Sequence, residues 1–285
     1  MAELNLRKPT VAGSFYAGDP TSLKKEIENC FLHKLGPGKL PSTIIKGERK
    51  IVGLISPHAG YIYSGPVAAN GFYKIALDGK PDTIIILGPN HRGFGEDISI
   101  MVEGKWETPL GVLEIDTDIA ENILKNSKTI KIDKKAHQFE HSIEVQLPFI
   151  QYIFGKNIKF IPICMTHQDI NTDIEIAKSI CSSVVDKNIL IIASSDFTHY
   201  EPQEYAENVD KQAINAILEF NPKKLYDIIY RQNLTMCGPG PITVMLIVCE
   251  TLGAKKAELL KYATSGDVSG MYDQVVGYAS LIVSK

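Results

Sequence analysis

Three stretches of the chain, Lys50-Ile-Val-Gly-Leu-Ile-Ser, Thr83-Ile-Ile-Ile-Leu-Gly and Asn188-Ile-Leu-Ile-Ile-Ala, are apolar almost without a break. A strand with one wet face alternates apolar and polar residues. An unbroken run this short therefore belongs to a strand covered on both faces, as in the middle of a parallel sheet. Helical periodicity fills the spaces between such runs. It is expected from about Asp19 to Leu32, over Ser64 to Leu77 with Ser64 as N-cap, over Ser142 to Phe154, and over Ile170 to Val185. Two more helices fit between Tyr205 and Tyr230, and another begins near Pro241. Ile158 to Ile163 and Asp273 to Val283 read as further strands, and Ile98 to Ile115, around Pro109-Leu-Gly, as a β-hairpin excursion. Strands alternating with helices predict an α/β fold of three layers, α/β/α, around a mostly parallel or mixed sheet. No internal repeat, low-complexity tract or domain boundary interrupts the pattern.

Composition excludes several classes. The net charge is −3 and no basic run is present, so nucleic acid is not an expected partner. The apolar runs are too short to cross a bilayer, and the first residues lack the apolar core of a signal peptide, so no membrane association and a cytoplasmic location are expected. The five cysteines are Cys30, Cys164, Cys181, Cys237 and Cys249, an odd and scattered set that makes a poor disulfide framework. Cys164 and Cys249 lie in apolar runs and read as core. His33 and His167 have no chemical company and read as surface residues.

Polar motifs follow the three apolar strands directly: Ser56-Pro-His-Ala-Gly-Tyr, Gly88-Pro-Asn-His-Arg-Gly and Ser194-Ser-Asp-Phe-Thr-His-Tyr. Ligand sites of open α/β sheets gather at the carboxyl ends of strands. If the strands are parallel, His58, His91 and His199 converge on one rim. Cys237 precedes Gly238-Pro-Gly-Pro and a helix, where the positive end of the helix dipole is expected to favour its thiolate, a nucleophile and a ligand for soft or borderline metals. Each of these residues taken singly also reads as an ordinary loop histidine or turn; the argument for a site is their convergence. Asp196 and His199 share a face if that segment turns helically, so Asp196 is either the orienter of a histidine or a helix cap. A Ser-His-Asp hydrolase through Ser194 or Ser195 lacks the G-x-S-x-G elbow. His137 and His141 have i, i+4 spacing, but Glu140 to Glu144 reads first as the acidic opening of a helix. Gly266-Asp-Val-Ser-Gly only superficially resembles a phosphate loop.

Val11-Ala-Gly-Ser-Phe-Tyr, Pro57-His-Ala-Gly-Tyr, Leu87-Gly-Pro-Asn-His, Glu140-His-Ser-Ile-Glu, Ser194-Ser-Asp-Phe-Thr-His and Cys237-Gly-Pro together resemble the signature blocks of the Memo family, in order and across nearly the whole chain. The resemblance implies one Memo-like domain over residues 1–285, similar in fold to the LigB-type class III extradiol dioxygenases. It also implies a mononuclear metal pocket at His58, His91 and Cys237. By comparison with the two-histidine, one-carboxylate site of those dioxygenases, His199 would be the catalytic base with Asp196 beside it, and Cys237 stands where a carboxylate ligand would be. That departure keeps ring cleavage from following from the fold. Glu140 and His141 would line the pocket wall, and Tyr61 and Tyr63 the substrate pocket.

Three functions remain open. The first is a metal-dependent, dioxygenase-like redox enzyme carrying iron, with copper or zinc as alternatives, and acting on a small-molecule substrate. The second is a non-catalytic module that reuses the pocket to bind a peptide or protein, as animal Memo proteins are described as doing with phosphotyrosine peptides. The third is a zinc hydrolase, since two histidines, a cysteine and a water form a catalytic zinc set.

Overall fold

The computed structural model describes residues 5–285. In chain order its elements are β1 (Leu6–Arg7), α1 (Pro20–Leu32), β2 (Ile51–Ser56), α2 (Tyr61–Asp78), β3 (Thr83–Pro89), β4 (Ile98–Ile100), β5 (Lys105–Thr108), β6 (Gly111–Ile115), α3 (Thr117–Asn126), β7 (Lys131–Ile132) and α4 (Lys135–Gln138). They continue with α5 (Leu147–Phe154), β8 (Lys159–Met165), α6 (Ile170–Ser183), β9 (Ile189–Ser194), β10 (His199–Glu201), α7 (Gln203–Leu218), α8 (Pro222–Gln232), α9 (Pro239–Thr251), β11 (Lys256–Thr264), α10 (Gly266–Ser269) and β12 (Val275–Ser284).

The strands join one mixed sheet. Its spine runs β6, β8, β3, β9, β2, with every neighbouring pair parallel. Strand β12 closes the β2 side in antiparallel register, followed by β10 and β11. Strands β2, β3 and β9 are buried at every residue, as their unbroken apolar runs require. Two helical layers provide the cover, and β2 shows the alternation between them. A Cβ on Gly53 would lie 2.5 Å from Met245 Sδ and 2.7 Å from Cys249 Sγ, both on α9. The next residue, Leu54, meets Gly71 of α2 on the opposite face. Helix α9 is buried almost all round, sandwiched between the sheet and α6.

This order positions the chemistry. Strand β9 lies between β2 and β3, with Ser56 opposite Ser194 and Leu87 opposite Ala193. All three strands end at one level. His58 and Asp196 each follow their strand's last residue by two positions, as does His91. Neighbouring strands are about 4.8 Å apart, so three such loops lie within side-chain reach.

Several sequence expectations change. Helix α2 begins at Tyr61, earlier than expected, because the Tyr61 and Ser64 amides donate to Phe15 O and Gly60 O. Ser64 is therefore inside the helix, its hydroxyl bonded to Ala59 O, and is not the N-cap. The hairpin excursion is partly sheet: β5 and β6 form the hairpin, but β6 and β4 flank β8. The expected helix at Ser142 starts as a 3-10 turn, Glu144–Gln146, before α5. The segment after β9 does not turn helically. It runs extended into β10 against β12, so Asp196 caps no helix and shares no helical face with His199. Strand β11 has no counterpart among the expected elements.

Candidate metal centre

His58, His91 and Cys237 each present a ligand atom within 4.8 Å of the other two. The hydrogen bonds around them settle which atoms are free. The Ser194 hydroxyl has one proton, and it donates to Ser142 O at 2.6 Å while accepting from Gln146 Nε2 at 2.9 Å. His58 Nδ1, 2.9 Å from the same hydroxyl, must therefore be the donor. That fixes the proton on Nδ1 and leaves the Nε2 lone pair facing Cys237 Sγ, 3.3 Å away. His91 is held in the same way. Its Nδ1 lies 2.9 Å from the Glu140 carboxylate, which also accepts the amides of His91, His141 and Ser142. A carboxylate only accepts, so His91 Nε2 is free as well.

Asp196 ties the rim together. Its Oδ1 accepts the His58 amide at 2.8 Å, and its own amide donates to Cys237 Sγ at 3.2 Å. Burial raises the Asp196 carboxyl to about 6 despite that amide bond and nearby His199. Glu140 behaves oppositely: burial raises it, but the hydrogen bond and charge of His91, with His141, prevail and hold it at about 2. Burial pushes His58 well below its ordinary value, and the neighbouring His91, His141 and His199 add to the effect. His58 therefore stays neutral, the form that ligates.

Cys237 corrects an expectation. It sits just before α9, whose N-cap is Gly238, yet its thiol is raised far above the ordinary range, first by burial and then by the Asp196 charge. The fractional charge at a helix end does not offset a desolvated sulfur facing a carboxylate. A cation in the cluster would reverse that balance, and the donor set of two free imidazole nitrogens and a sulfur suits a soft or borderline ion.

His199 stands at the edge of the cluster, partly exposed. Its Nδ1 lies 2.8 Å from Thr235 O and its amide donates to Thr235 Oγ1 at 2.7 Å. A carbonyl only accepts, so His199 too carries its proton on Nδ1 and offers Nε2 as a base. Thr235, not Asp196, orients this ring. Thr198 beside it is held through both its amide and its hydroxyl by buried Asp210.

Residues 7–282 match the sequence model of a family described as Memo-like protein. The chain belongs to this family. The MEMO1 family protein of Methanopyrus kandleri is 46% identical over 278 residues, covering 97% of this chain and 98% of that one. A MEMO1 family protein of Desulfurococcus amylolyticus is 49% identical over 277 residues, covering 96% and 98%. An uncharacterized Escherichia coli protein of known crystal structure shares the fold at TM-score 0.53 and 12% identity, covering 81% of this chain and 99% of that one.

In this Memo-like chain the sheet brings together His58, His91, Cys237, Asp196, Glu140 and His141. The His141 ring lies 4.7 Å from His91 and 5.5 Å from His58, packed on Phe15. His91, Glu140 and His141 form a second group with ligand-type atoms within 4.8 Å, but Glu140 Oε1 is already bonded to His91 Nδ1. Tyr61 does not line the site: it is buried in the core with its hydroxyl bonded to Val145 O. Tyr63 is 40% exposed on the first turn of α2. His137 is buried beneath Trp106, with Nε2 next to Ser99, and takes no part. Ser194, Gln146 and Thr235 hold the site without having been singled out for that role by sequence, because their partners depend on strand register. A separate groove of about 390 Å³, lined by Arg7, Lys8, Lys134 and Phe139 among others, includes none of the clustered residues. No helix among the described residues is long and apolar enough to cross a membrane.

Proposed function

We propose that this Memo-like protein is a metal-dependent redox enzyme, in which His58, His91 and Cys237 hold one mononuclear iron or copper ion beside a pocket for a small substrate. The observation that carries the reading is the paired locking of His58 by Ser194 and of His91 by Glu140, which directs both Nε2 lone pairs away from those partners and towards one sulfur. A histidine kept only for packing has no need of a fixed tautomer, whereas metal-ligating histidines are held in this way from behind.

An iron or copper ion supplies one-electron chemistry towards oxygen and an organic substrate. The protein's own residues do the rest. Ser194 and Glu140 keep the two rings aimed, and the Asp196 amide bonded to Cys237 Sγ stabilises negative charge on sulfur. His199 Nε2 accepts a proton from the substrate, and the Thr235 carbonyl steadies the imidazolium that results.

The test is metal analysis by mass spectrometry on untagged protein purified anaerobically, beside Cys237→Ser and His58→Ala. Roughly stoichiometric iron or copper, lost in both variants, is expected. Metal content unchanged by either substitution sinks the assignment. Wild type that takes up no metal on reconstitution favours a peptide-binding module, and zinc with ester or amide cleavage favours a hydrolase.

A further inference from the structure

Beside the His58, His91 and Cys237 cluster, one rim of the site carries two polar atoms without a hydrogen-bond partner among the described residues and one exposed aromatic ring. Tyr278 on β12 is only 2% exposed, its ring packed with Val67 and Ala263. Backbone pairing fixes its place. Leu281 lies opposite Ile55 in β2, which puts Tyr278 beside the loop carrying His58. On the other side the Phe197 amide donates to Gly277 O and the Gly277 amide to Thr198 O, both at 2.8 Å, so Tyr278 also adjoins the Asp196 segment. Its hydroxyl finds no hydrogen-bond partner among the described residues, yet it is not among the polar atoms sealed from solvent. Burial first, then the charge of Asp196, raises this phenol far above its ordinary range, so it stays a donor. Asp196 is 4% exposed and spends Oδ1 on the His58 amide, while its Oδ2 lies 3.9 Å from His58 Nε2 and takes no hydrogen bond among the described residues.

The third observation is strain. Tyr200 has φ 60°, in the left-handed region, at a register shift within β10, and it is 71% exposed. A bulky side chain is disfavoured there, and such strain gathers at ligand sites. The strained residue leaves an exposed aromatic ring beside His199, ring centroids 5.8 Å apart.

We propose that Tyr278 Oη and Asp196 Oδ2 form a donor–acceptor edge, overhung by Tyr200, that binds a flat ring carrying a neighbouring hydrogen-bond acceptor and donor, as in an aromatic amide or lactam. The ligand's carbonyl accepts from Tyr278, its N–H donates to Asp196, and its ring stacks on Tyr200. A carboxylate in the same place fits poorly, because it would face Asp196. This inference names the substrate class of the site proposed above and rests on that reading for its place in catalysis.

Benzamide is the probe, with benzoate and cyclohexanecarboxamide as controls, measured by ligand-observed NMR and calorimetry on the full chain. Wild type is expected to bind benzamide more tightly than either control. Tyr278→Phe, which removes only a hydroxyl, weakens benzamide about tenfold. Tyr200→Asn, which tolerates the left-handed backbone, weakens benzamide severalfold and leaves cyclohexanecarboxamide unchanged. Benzamide bound no better than benzoate, or equally by wild type and Tyr278→Phe, overturns the proposal. Metal content of the same samples keeps the two readings apart. Benzamide binding that persists in metal-free His58→Ala upholds this edge whatever becomes of the metal assignment, and metal retention without benzamide binding rejects the edge alone.

Discussion

At the scale of single residues, the site depends on what stands behind its histidines. Ser194 is fully buried and joins His58 Nδ1, Gln146 Nε2 and Ser142 O. Ser194→Ala leaves the His58 proton and one Gln146 proton without an acceptor, so it should cost about 1–3 kcal/mol of stability. It should also weaken metal affinity about tenfold or more. Urea unfolding and competitive metal titration check the two effects, and wild-type affinity in the variant would refute the orienting role. The convergence of His58, His91 and Cys237 was legible in the sequence because each follows an apolar strand or precedes a helix. Their supports were not. That Ser194 faces His58 depends on β2 and β9 pairing with Ser56 opposite Ser194, and no local pattern announces a pairing between residues so far apart. Nor was the Cys237 thiol's protonation legible, since the helix end that suggested a thiolate is local, whereas the burial that opposes it belongs to the finished fold.

Among elements, α9 lies close against β2. Gly53→Ala places a methyl group 2.5 Å from Met245 Sδ, 2.7 Å from Cys249 Sγ and 3.2 Å from Val283 Cβ. Strand and helix must then separate, at a cost of about 1–3 kcal/mol. Because Cys237 lies just ahead of α9, metal affinity should fall along with the urea midpoint. A variant that loses stability but keeps affinity would show that Cys237 is held by its own loop instead. The central strands and most helices could be read from their periodicity. The start of α2 could not, because Phe15, far back in the chain, fixes its first turn. Strand β11 escaped because its residues are largely half-buried without clean alternation, so neither the strand nor the helix period stands out.

For the whole molecule, buried acids and bases set opposing responses to pH. Burial lowers His58, and it lowers His137 to about 3 and His141 to about 4. The unfolded chain therefore binds more protons below pH 6.5, and stability from these groups is present above that pH and lost as pH falls. Asp173 opposes them. Burial raises it to about 7 even though Tyr226 donates to it, and its Oδ1 has no partner among the described residues. Its contribution is full below about 4 and is lost as pH rises through 7, a change on the order of 4 kcal/mol. Asp173→Asn keeps an acceptor for Tyr226, so it should raise the urea midpoint at pH 8 and change it little at pH 4. An equal shift at both pH values would mean that the carboxyl titrates normally.

The sheet order also bears on how the protein comes to be made. Strand β2, whose loop carries His58, is flanked by β9 and β12, and β12 begins about 220 residues after β2 ends. A ribosome has therefore synthesised Cys237 and most of the sheet before the strand leading to His58 can be enclosed. Contacts of such long separation form late and slowly. A nascent chain has no finished cluster to load, so any ion that the proposed site takes would enter after translation, into the completed protein.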